Sequence, residues 1–273
     1  MSSPSQPELL SPEKVWSASL LSKIKGLIPW RTFDNLNRCG NEEIYRTCED
    51  CGSFKTFTYQ CGLKFCPMCN WKISRTRTTL LRIWMKRIEQ PKHIVLTRRN
   101  VNGVLTRSLF RHTMRQFGKL RRSKLLRHMR GGCVSMEVTN EGNGWHVHLH
   151  ILADVRFVPA DKLASAWAKL MGQDFAIVKV LDARKKDYAA EVCKYVVKGA
   201  ELVSWHPEEI SQFIHALKGV RFFATFGTMF DLRSKVAAEI NALKPAPSMC
   251  ACGCNRYRFT TETAEICREV RRK

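Results

Sequence analysis

The chain has few acidic residues and no long apolar run. No stretch approaches the roughly 20 consecutive apolar residues of a membrane-spanning helix, and the N-terminus lacks the basic start and apolar block of a secretory signal. These absences predict a cytoplasmic protein without a membrane partner. Only 24 Asp and Glu oppose 46 Lys and Arg, which leaves a net charge of +22. Such an excess predicts a polyanionic partner, because phosphate binding releases condensed counterions.

Histidines are also few, eight in 273 residues, yet three of them occupy alternate positions of one apolar run. They are His146, His148 and His150, and aliphatic residues lie between them. A strand turns successive side chains to opposite faces, so the histidines share one face while the aliphatic residues enter a core. Because imidazole binds divalent transition metals, this pattern predicts a strand that holds a metal ion. The alternative is a half-buried strand whose polar face is rich in histidine.

A turn signal over residues 141–144 joins this strand to a preceding one over residues 133–139, so the two are predicted to form a hairpin. Hairpin pairing brings the carboxylate of Glu137 beside the histidines. Imidazole ligands suit Mn²⁺, whereas Mg²⁺ prefers oxygen, and either is the expected catalytic ion. The candidate ligands are His148, His150, Glu137 and, as the competing third ligand, His146.

Cysteines are abundant, and their spacing indicates metal ligation in a reducing compartment. Two pairs, Cys48 with Cys51 and Cys66 with Cys69, each have two intervening residues, and Cys61 lies between the pairs. Zinc takes four ligands tetrahedrally, and this gap lets both sulfurs of a pair reach one ion. The spacing predicts one structural zinc site held by both pairs, or a site in which Cys61 replaces Cys48.

A second group of cysteines lies near the C-terminus. Its spacing is tight and unusual for a metal site, so a second site there and unrelated cysteines both remain open. The members are Cys250, Cys252, Cys254 and Cys267.

Residues 186–198 are predicted to be helical and place Tyr188 and Tyr195 near one stripe. A phenol is a poor nucleophile at neutral pH because its reference pKa is about 10, and a nearby metal or an ammonium group such as Lys198 stabilises the phenolate. Glu191, one turn before Tyr195, can act as a general base toward water or a 3′-hydroxyl. The simpler interpretation is a basic surface helix anchored by two aromatic residues.

The order of predicted elements matches a ferredoxin-like α+β core, with a central antiparallel sheet flanked by helices. Strands are predicted over 93–97, 133–139, the histidine run and 175–181, and helices over 106–129, 160–171 and 186–198. The expected organisation is a mobile or short helical segment over 1–30, a zinc-binding subdomain with a basic helix over 31–90, a catalytic domain over 91–235 and a cysteine-rich basic tail over 236–273.

Two basic stretches are candidates for gripping DNA phosphates without reading sequence. One follows the cysteine pairs, over residues 72–87, and the other is the predicted helix over 106–129. Any single charge in them is best explained as a solvated surface residue, but the two stretches together predict a DNA track. The candidate contacts are Arg75, Arg77, Arg111, Arg115 and Arg122.

These residues resemble a known family, the rolling-circle replication initiators of the HUH endonuclease class in small bacterial plasmids. Residues 94–100 look like its first motif, residues 145–150 like its metal-binding motif and residues 191–195 like its tyrosine motif. Residues 66–71 look like a cysteine-containing stretch upstream in the plasmid initiators. The resemblance covers about residues 45 to 230, and the cysteine-rich tail has no counterpart in it.

The resemblance implies metal-dependent nicking of origin DNA, covalent attachment through a tyrosine as a 5′-phosphotyrosine, and strand closure after one round of replication. It implies that His148 and His150 are the paired ligands, that Tyr195 is the nucleophile and that Glu191 activates the water that ends the cycle. Tyr188 departs from the one-tyrosine pattern and is the alternative nucleophile. Implied partners are single-stranded or cruciform origin DNA, a host helicase and the replication machinery.

Two other functions stay open at the level of sequence. A transposase or relaxase of the HUH class would keep the chemistry and change its biological use. A zinc-ribbon regulator that binds nucleic acid without catalysis would leave the alternating histidines and the pair Glu191 and Tyr195 without a role. Covalent attachment to DNA separates the enzymes from the regulator.

Overall fold

The computed structural model describes residues 18–63, 65–193, 202, 204–235, 250–254 and 256–258. In this part of the chain, the strands form two separate antiparallel sheets, and helices accompany them. The protein is therefore a mixed α+β fold. None of the helices that the structure describes is both long and apolar enough to cross a membrane. The predicted mobile segment falls mostly on residues 1–17, outside the described residues.

The structure describes eight helices and eight strands in this part of the chain. The helices are α1 (Ala18–Ile24), α2 (Trp30–Arg38), α3 (Pro67–Met85), α4 (Arg107–Arg121), α5 (Ala160–Met171), α6 (Tyr188–Val192), α7 (Pro207–Leu217) and α8 (Thr228–Lys235). The strands are β1 (Glu43–Cys48), β2 (Phe54–Thr58), β3 (Pro91–Thr97), β4 (Gly131–Thr139), β5 (His146–Asp154), β6 (Val178–Asp182), β7 (Phe223–Gly227) and β8 (Tyr257–Arg258).

The larger sheet has five antiparallel strands in the order β6-β3-β5-β4-β7. The predicted hairpin forms its centre, since β4 and β5 pair over their whole lengths. Gly144 allows the tight return between them: its φ is +86°, and the ideal Cβ position lies 2.5 Å from Oδ1 of Asn102. A side chain there would therefore meet both backbone strain and a collision.

The five-stranded sheet is covered on both faces. Val147, Leu149 and Ile151 belong to the main core, together with apolar residues of α4 and α5. Leu152, on the opposite face with the histidines, packs in a second cluster with residues of α3, α6 and α8. Strand alternation thus separates an aliphatic face from a histidine-bearing face, as the sequence predicts.

The smaller sheet has three strands in the order β2-β1-β8 and lies next to the cysteines. Its third strand comes from the C-terminal tail: Thr47 pairs with Arg258, and Cys48 pairs with Tyr257. The tail that the sequence analysis treated as a separate unit therefore contributes to the sheet of the N-terminal cysteine region.

Two predicted helices differ from the structure. Of the helix expected over 186–198, the structure describes α6 (Tyr188–Val192) with Cys193 as its C-cap, and residues 194–198 lie outside the described residues. The helix expected over 106–129 ends at Arg121, and a separate 3-10 turn, Lys124–Leu126, follows. Ser123 between them has an extended backbone with ψ of 163°. Several cations crowd this end of α4, and their mutual repulsion is a physical reason for the break.

Candidate metal centre and active site

Strands β4 and β5 bring together three side chains that can hold a metal ion. Glu137 lies directly opposite His148 in the antiparallel register, and His150 follows on the same face. Oε2 of Glu137 lies 2.8 Å from Nε2 of His148 and 2.8 Å from Nε2 of His150. All three potential ligand atoms lie within 4.8 Å of one another. Two imidazole nitrogens and one carboxylate oxygen suit a divalent cation.

The electrostatics of the centre favour an ionised carboxylate. Burial raises the pKa of Glu137, but hydrogen bonds and positive charge from His148 and His150 outweigh burial and hold that pKa well below its usual range. A half-buried anion that faces two imidazole nitrogens presents the charge and the lone pairs that a cation requires.

His146 is near this centre but outside the group of three. It lies opposite Thr139, and this pair of residues is two positions closer to the hairpin turn than the pair of Glu137 and His148. Its ring centroid is 5.1 Å from that of His148. The structure therefore brings in Glu137, and not the competing candidate His146, because the register puts the carboxylate directly across from His148.

His93 of β3 supports the centre, although the sequence analysis did not select it. Its Nε2 lies 3.2 Å from Nδ1 of His150, on the side of that ring turned away from Glu137. Burial, and then the charge of His150, lower the pKa of His93 to about 4. When Nε2 of His150 binds a metal, its Nδ1–H can donate a hydrogen bond to Nε2 of a neutral His93, and this bond fixes the orientation of the His150 ring. The sequence offered one indication of this residue, its position in the strand predicted over 93–97.

Helix α6 lies over the histidine-bearing face. The ring of Tyr188 stacks on the ring of His93 with centroids 4.4 Å apart. The negative charge of Glu191 raises the pKa of His93, although the opposite effect of burial is larger. The carboxylate of Glu191 is therefore close enough to act electrostatically on the centre. Nζ of Lys186 lies 3.8 Å from Oε2 of Glu191. The predicted nucleophile Tyr195 and its neighbour Lys198 lie outside the described residues.

The cysteines form two groups rather than one. The first is Cys39, Cys61, Cys66 and Cys69, and the second is Cys48, Cys51, Cys250 and Cys252; each could hold a metal ion.

The predicted grouping of Cys48 and Cys51 with Cys66 and Cys69 is corrected by this arrangement. The two cysteines of each predicted pair do lie in the same group. The other two cysteines of each group come from elsewhere in the chain. The missed member Cys39 follows α2 as its C-cap, and no spacing pattern links it to Cys66. In the tail, Cys254 lies outside the four-sulfur group, and Cys267 lies outside the described residues.

The two basic stretches lie on opposite sides of the five-stranded sheet. Arg75 and Arg77 belong to α3, which packs on the histidine-bearing face, and Arg77 also lies 4.4 Å from the ring centroid of Phe223. The remaining candidates belong to α4 and its C-cap, and α4 packs on the aliphatic face. The sheet therefore separates the two basic stretches. The residues on α4 and its C-cap are Arg111, Arg115 and Arg122.

These features define a strongly basic α+β protein with a carboxylate and imidazole centre on its sheet and two cysteine groups beside it. Residues 55–242 match the model of a family described as replication protein, Rep_1. The chain belongs to this family, the plasmid Rep replication initiators.

Similar curated proteins carry the name Protein rep. One from Streptococcus pneumoniae serotype 2 is 25% identical over 231 residues, covering 74% of this chain and 71% of that protein. One from Lentilactobacillus hilgardii is 22% identical over 245 residues, covering 78% of each. One from Lactiplantibacillus plantarum is 27% identical over 216 residues, covering 67% of this chain and 68% of that protein. No solved structure matches the chain.

Proposed function

We propose that this replication initiator nicks and rejoins origin DNA through a covalent 5′-phosphotyrosine, with a divalent cation held by Glu137, His148 and His150. The observation that carries the proposal is the convergence of one carboxylate oxygen and two imidazole nitrogens within 4.8 Å. Helix α6 contacts this centre where Tyr188 stacks on His93, and Tyr195 follows three residues after the last residue of α6 in the sequence.

The fold supports assignment to the HUH class with a ferredoxin-like core. Four strands of the larger sheet have the order β6-β3-β5-β4, in which α4 connects β3 to β4 and α5 connects β5 to β6. Both connecting helices contribute to the main core on the aliphatic face. This is the arrangement of a split βαβ unit, and it leaves the candidate catalytic side chains on the opposite face, where α3, α6 and α8 pack.

The centre suits Mn²⁺ or Mg²⁺. A bound divalent cation supplies positive charge that polarises the scissile phosphate and offsets the charge of the transition state. The chain's own residues prepare this position: Glu137 provides an ionised oxygen, and His93 orients His150 from behind.

In the proposed nicking step, Tyr195 gives its phenolic proton to water and its oxygen forms a bond to phosphorus. The bond between phosphorus and the 3′-oxygen breaks, and that oxygen takes up a proton from water to give a free 3′-hydroxyl. The ammonium group of Lys198 stabilises the phenolate. Because the phosphodiester is retained as a phosphotyrosine, attack by a 3′-hydroxyl rejoins a strand without nucleotide hydrolysis.

The cycle ends when water hydrolyses the phosphotyrosine and releases the DNA from the protein. Glu191 accepts a proton from the water, the bond between phosphorus and the tyrosine oxygen breaks, and the phenol is regenerated. The contact of Glu191 with Lys186 and its influence on His93 support a place for this carboxylate beside the centre.

Tyr188 is the alternative nucleophile. Its ring is part of the packing around the centre, because it stacks on His93 and the ammonium of Lys186 lies 5.8 Å from its centroid. This packing favours a positioning role for Tyr188. A two-tyrosine exchange remains the competing mechanism, and the variants below distinguish the two.

Zinc in the first cysteine group stabilises the region before α3. Sγ of Cys39 lies 3.6 Å from Sγ of Cys66 and 3.5 Å from Sγ of Cys69, and Sγ of Cys61 lies 3.6 Å from that of Cys69. Backbone N–H groups of Cys61 and Gly62 donate to these sulfurs. Four sulfurs at such separations match a closed tetrahedral site, whose role is structural.

The experiment uses the full chain, Mn²⁺ and single-stranded DNA from its own plasmid origin, labelled at the 3′ end. The wild type should give a denaturant-resistant adduct with the labelled DNA. Tyr195→Phe and His148→Ala should abolish the adduct, while the matched control Tyr45→Phe, on the smaller sheet, should leave it unchanged.

The other outcomes assign the chemistry differently. Loss of the adduct in Tyr188→Phe but not in Tyr195→Phe would reverse the assignment of the nucleophile. Loss only in the double variant would indicate the two-tyrosine mechanism. A wild type that binds the DNA but forms no adduct would favour the non-catalytic regulator. A transposase or relaxase would join strands outside a plasmid origin, and the relatives named Protein rep favour the replication role.

A further inference from the structure

The second cysteine group joins two distant parts of the chain. Cys48 and Cys51 lie at the end of β1 and in the turn that follows, whereas Cys250 and Cys252 lie in the C-terminal tail. About 200 positions separate the two pairs, since Cys51 and Cys250 are 199 residues apart. The resemblance that assigns the catalytic motifs leaves the tail without a role.

We propose that Cys48, Cys51, Cys250 and Cys252 form a second structural zinc site, a clasp that fastens the C-terminal tail to the N-terminal hairpin of β1 and β2. Binding replaces the protons of the thiols with one zinc ion. The clasp is independent of the proposed nicking chemistry.

The distances between the sulfurs support a shared ion. Sγ of Cys51 lies 3.4 Å from Sγ of Cys250, and Sγ of Cys48 lies 3.7 Å from Sγ of Cys252. Around one tetrahedral zinc with bonds of about 2.3 Å, neighbouring sulfurs lie about 3.8 Å apart. A disulfide would require a separation of about 2.0 Å. The cysteines are unpaired, and their spacing corresponds to the edges of a coordination tetrahedron.

Each pair lies in a tight turn closed by a glycine. The N–H of Gly52 donates to the carbonyl of Cys48, four residues earlier, at 3.1 Å, and the N–H of Gly253 donates to the carbonyl of Cys250, three residues earlier, at 2.9 Å. Each glycine follows the second cysteine of its pair, and their φ values are +73° and +86°. Only glycine adopts this backbone without strain, so both turns are built to point two sulfurs toward one position.

Contacts around the sulfurs hold the tail against the hairpin. The N–H of Glu49 donates to the carbonyl of Arg256 at 3.1 Å, and the guanidinium of Arg256 lies 2.8 Å from Oδ1 of Asp50. The ring of Tyr257 packs edge-on against Phe57 with centroids 5.5 Å apart. The tail is thus already positioned by strand pairing, an ion pair and an aromatic contact, and zinc closes the arrangement.

Cys254 provides a matched control within the same loop. It is buried, and its sulfur accepts a hydrogen bond from the N–H of Arg256 at 3.2 Å, but it lies outside the four-sulfur group. A Cys254→Ser substitution changes one thiol two residues from Cys252 without removing a proposed ligand.

The test counts zinc per full-length chain by atomic emission, with His150→Ala in every variant so that the candidate catalytic centre takes up no zinc. The reference chain should hold two zinc ions, Cys252→Ser should hold one, and Cys254→Ser should hold two. Retention of both ions by Cys252→Ser, or an equal loss in Cys254→Ser, would overturn the proposed ligands.

A second measurement keeps the test valid if Cys252→Ser disturbs the fold. Hydrogen exchange at the amide of Glu49 reports whether the tail is attached, because this amide bonds to Arg256. Removing zinc from the wild type with a chelator should speed exchange at Glu49 about tenfold or more, and returning zinc should restore protection. Unchanged exchange at Glu49 after complete removal of zinc would contradict the clasp.

Discussion

At the scale of single residues, the centre works because three of the four imidazole nitrogens of His148 and His150 have a defined neighbour. The two Nε2 atoms of His148 and His150 face Glu137, and Nδ1 of His150 faces His93. A neutral, buried His93 is needed for this arrangement, because a protonated ring could not accept from His150.

Lowering the pH should destabilise the folded protein, because His93 is buried. Its pKa falls from 6.5 to about 4 on folding, so between these values the unfolded chain binds a proton that the folded chain does not. Stability that is fully present above pH 6.5 is therefore lost as the pH falls toward 4, by on the order of 3 kcal/mol for His93 alone.

The variant His93→Phe keeps an aromatic ring beside Tyr188 and removes the titration. In metal-free buffer, the free energy of unfolding of the variant should fall less steeply between pH 6.5 and pH 4 than that of the wild type, as measured by urea denaturation. His128→Phe, at an exposed position after α4, is the control for removing a histidine elsewhere. Parallel curves for wild type and His93→Phe would show that His93 titrates normally.

At the scale of elements, the β4–β5 hairpin sets the geometry of the centre. Its register places Glu137 across from His148, and a slip of one residue would turn the carboxylate to the aliphatic face. The turn that fixes this register contains two glycines with positive φ, Gly142 at +89° and Gly144 at +86°.

These two glycines offer a matched comparison. Gly142→Ala should cost about 1 kcal/mol of stability, since the left-handed backbone is strained for alanine but the position is open. Gly144→Ala should cost about 2 kcal/mol more, because its Cβ would also meet Oδ1 of Asn102 and the carbonyl oxygen of Val101. Urea denaturation measures both values. Equal losses of stability in the two variants would mean that the turn shifts to accommodate the new methyl group at position 144.

Local patterns predicted the hairpin, the shared face of the histidines and the position of Glu137. The alternation of polar and apolar residues and a glycine-rich turn depend on neighbouring positions, so a single sequence contains them. The partners of Cys66 and Cys69, and of Cys48 and Cys51, depend on long-range folding, and spacing identifies only half of each group. His93 was missed for the same reason, because one histidine at the start of a strand shows no pattern of its own.

At the scale of the whole molecule, the sheet separates two basic surfaces that the sequence could not distinguish. The positive residues of α3 share the histidine-bearing side with the candidate centre, and those of α4 lie on the other side. A DNA strand whose phosphate reaches the centre is therefore expected to pass along α3.

Charge removal on the two helices should have unequal effects. The double variant Arg75→Gln with Arg77→Gln should weaken binding of single-stranded DNA and lower the slope of log K against log salt by up to about 1.4, or about 0.7 for each lost phosphate contact. The matched double variant Arg111→Gln with Arg115→Gln removes the same charge and should change this slope little. Fluorescence anisotropy at several salt concentrations measures both. A larger effect from α4 would place the DNA on the aliphatic side.

The attachment point of DNA on the protein is the most direct test of the central claim. The wild-type adduct formed with Mn²⁺ is digested with a protease and a nuclease, and the peptide that retains a nucleotide is sequenced by mass spectrometry. The account predicts a phosphate ester on the oxygen of Tyr195, and no modified peptide from His148→Ala. A nucleotide on Tyr188 or any other residue instead of Tyr195, or the same adduct in His148→Ala, would contradict it.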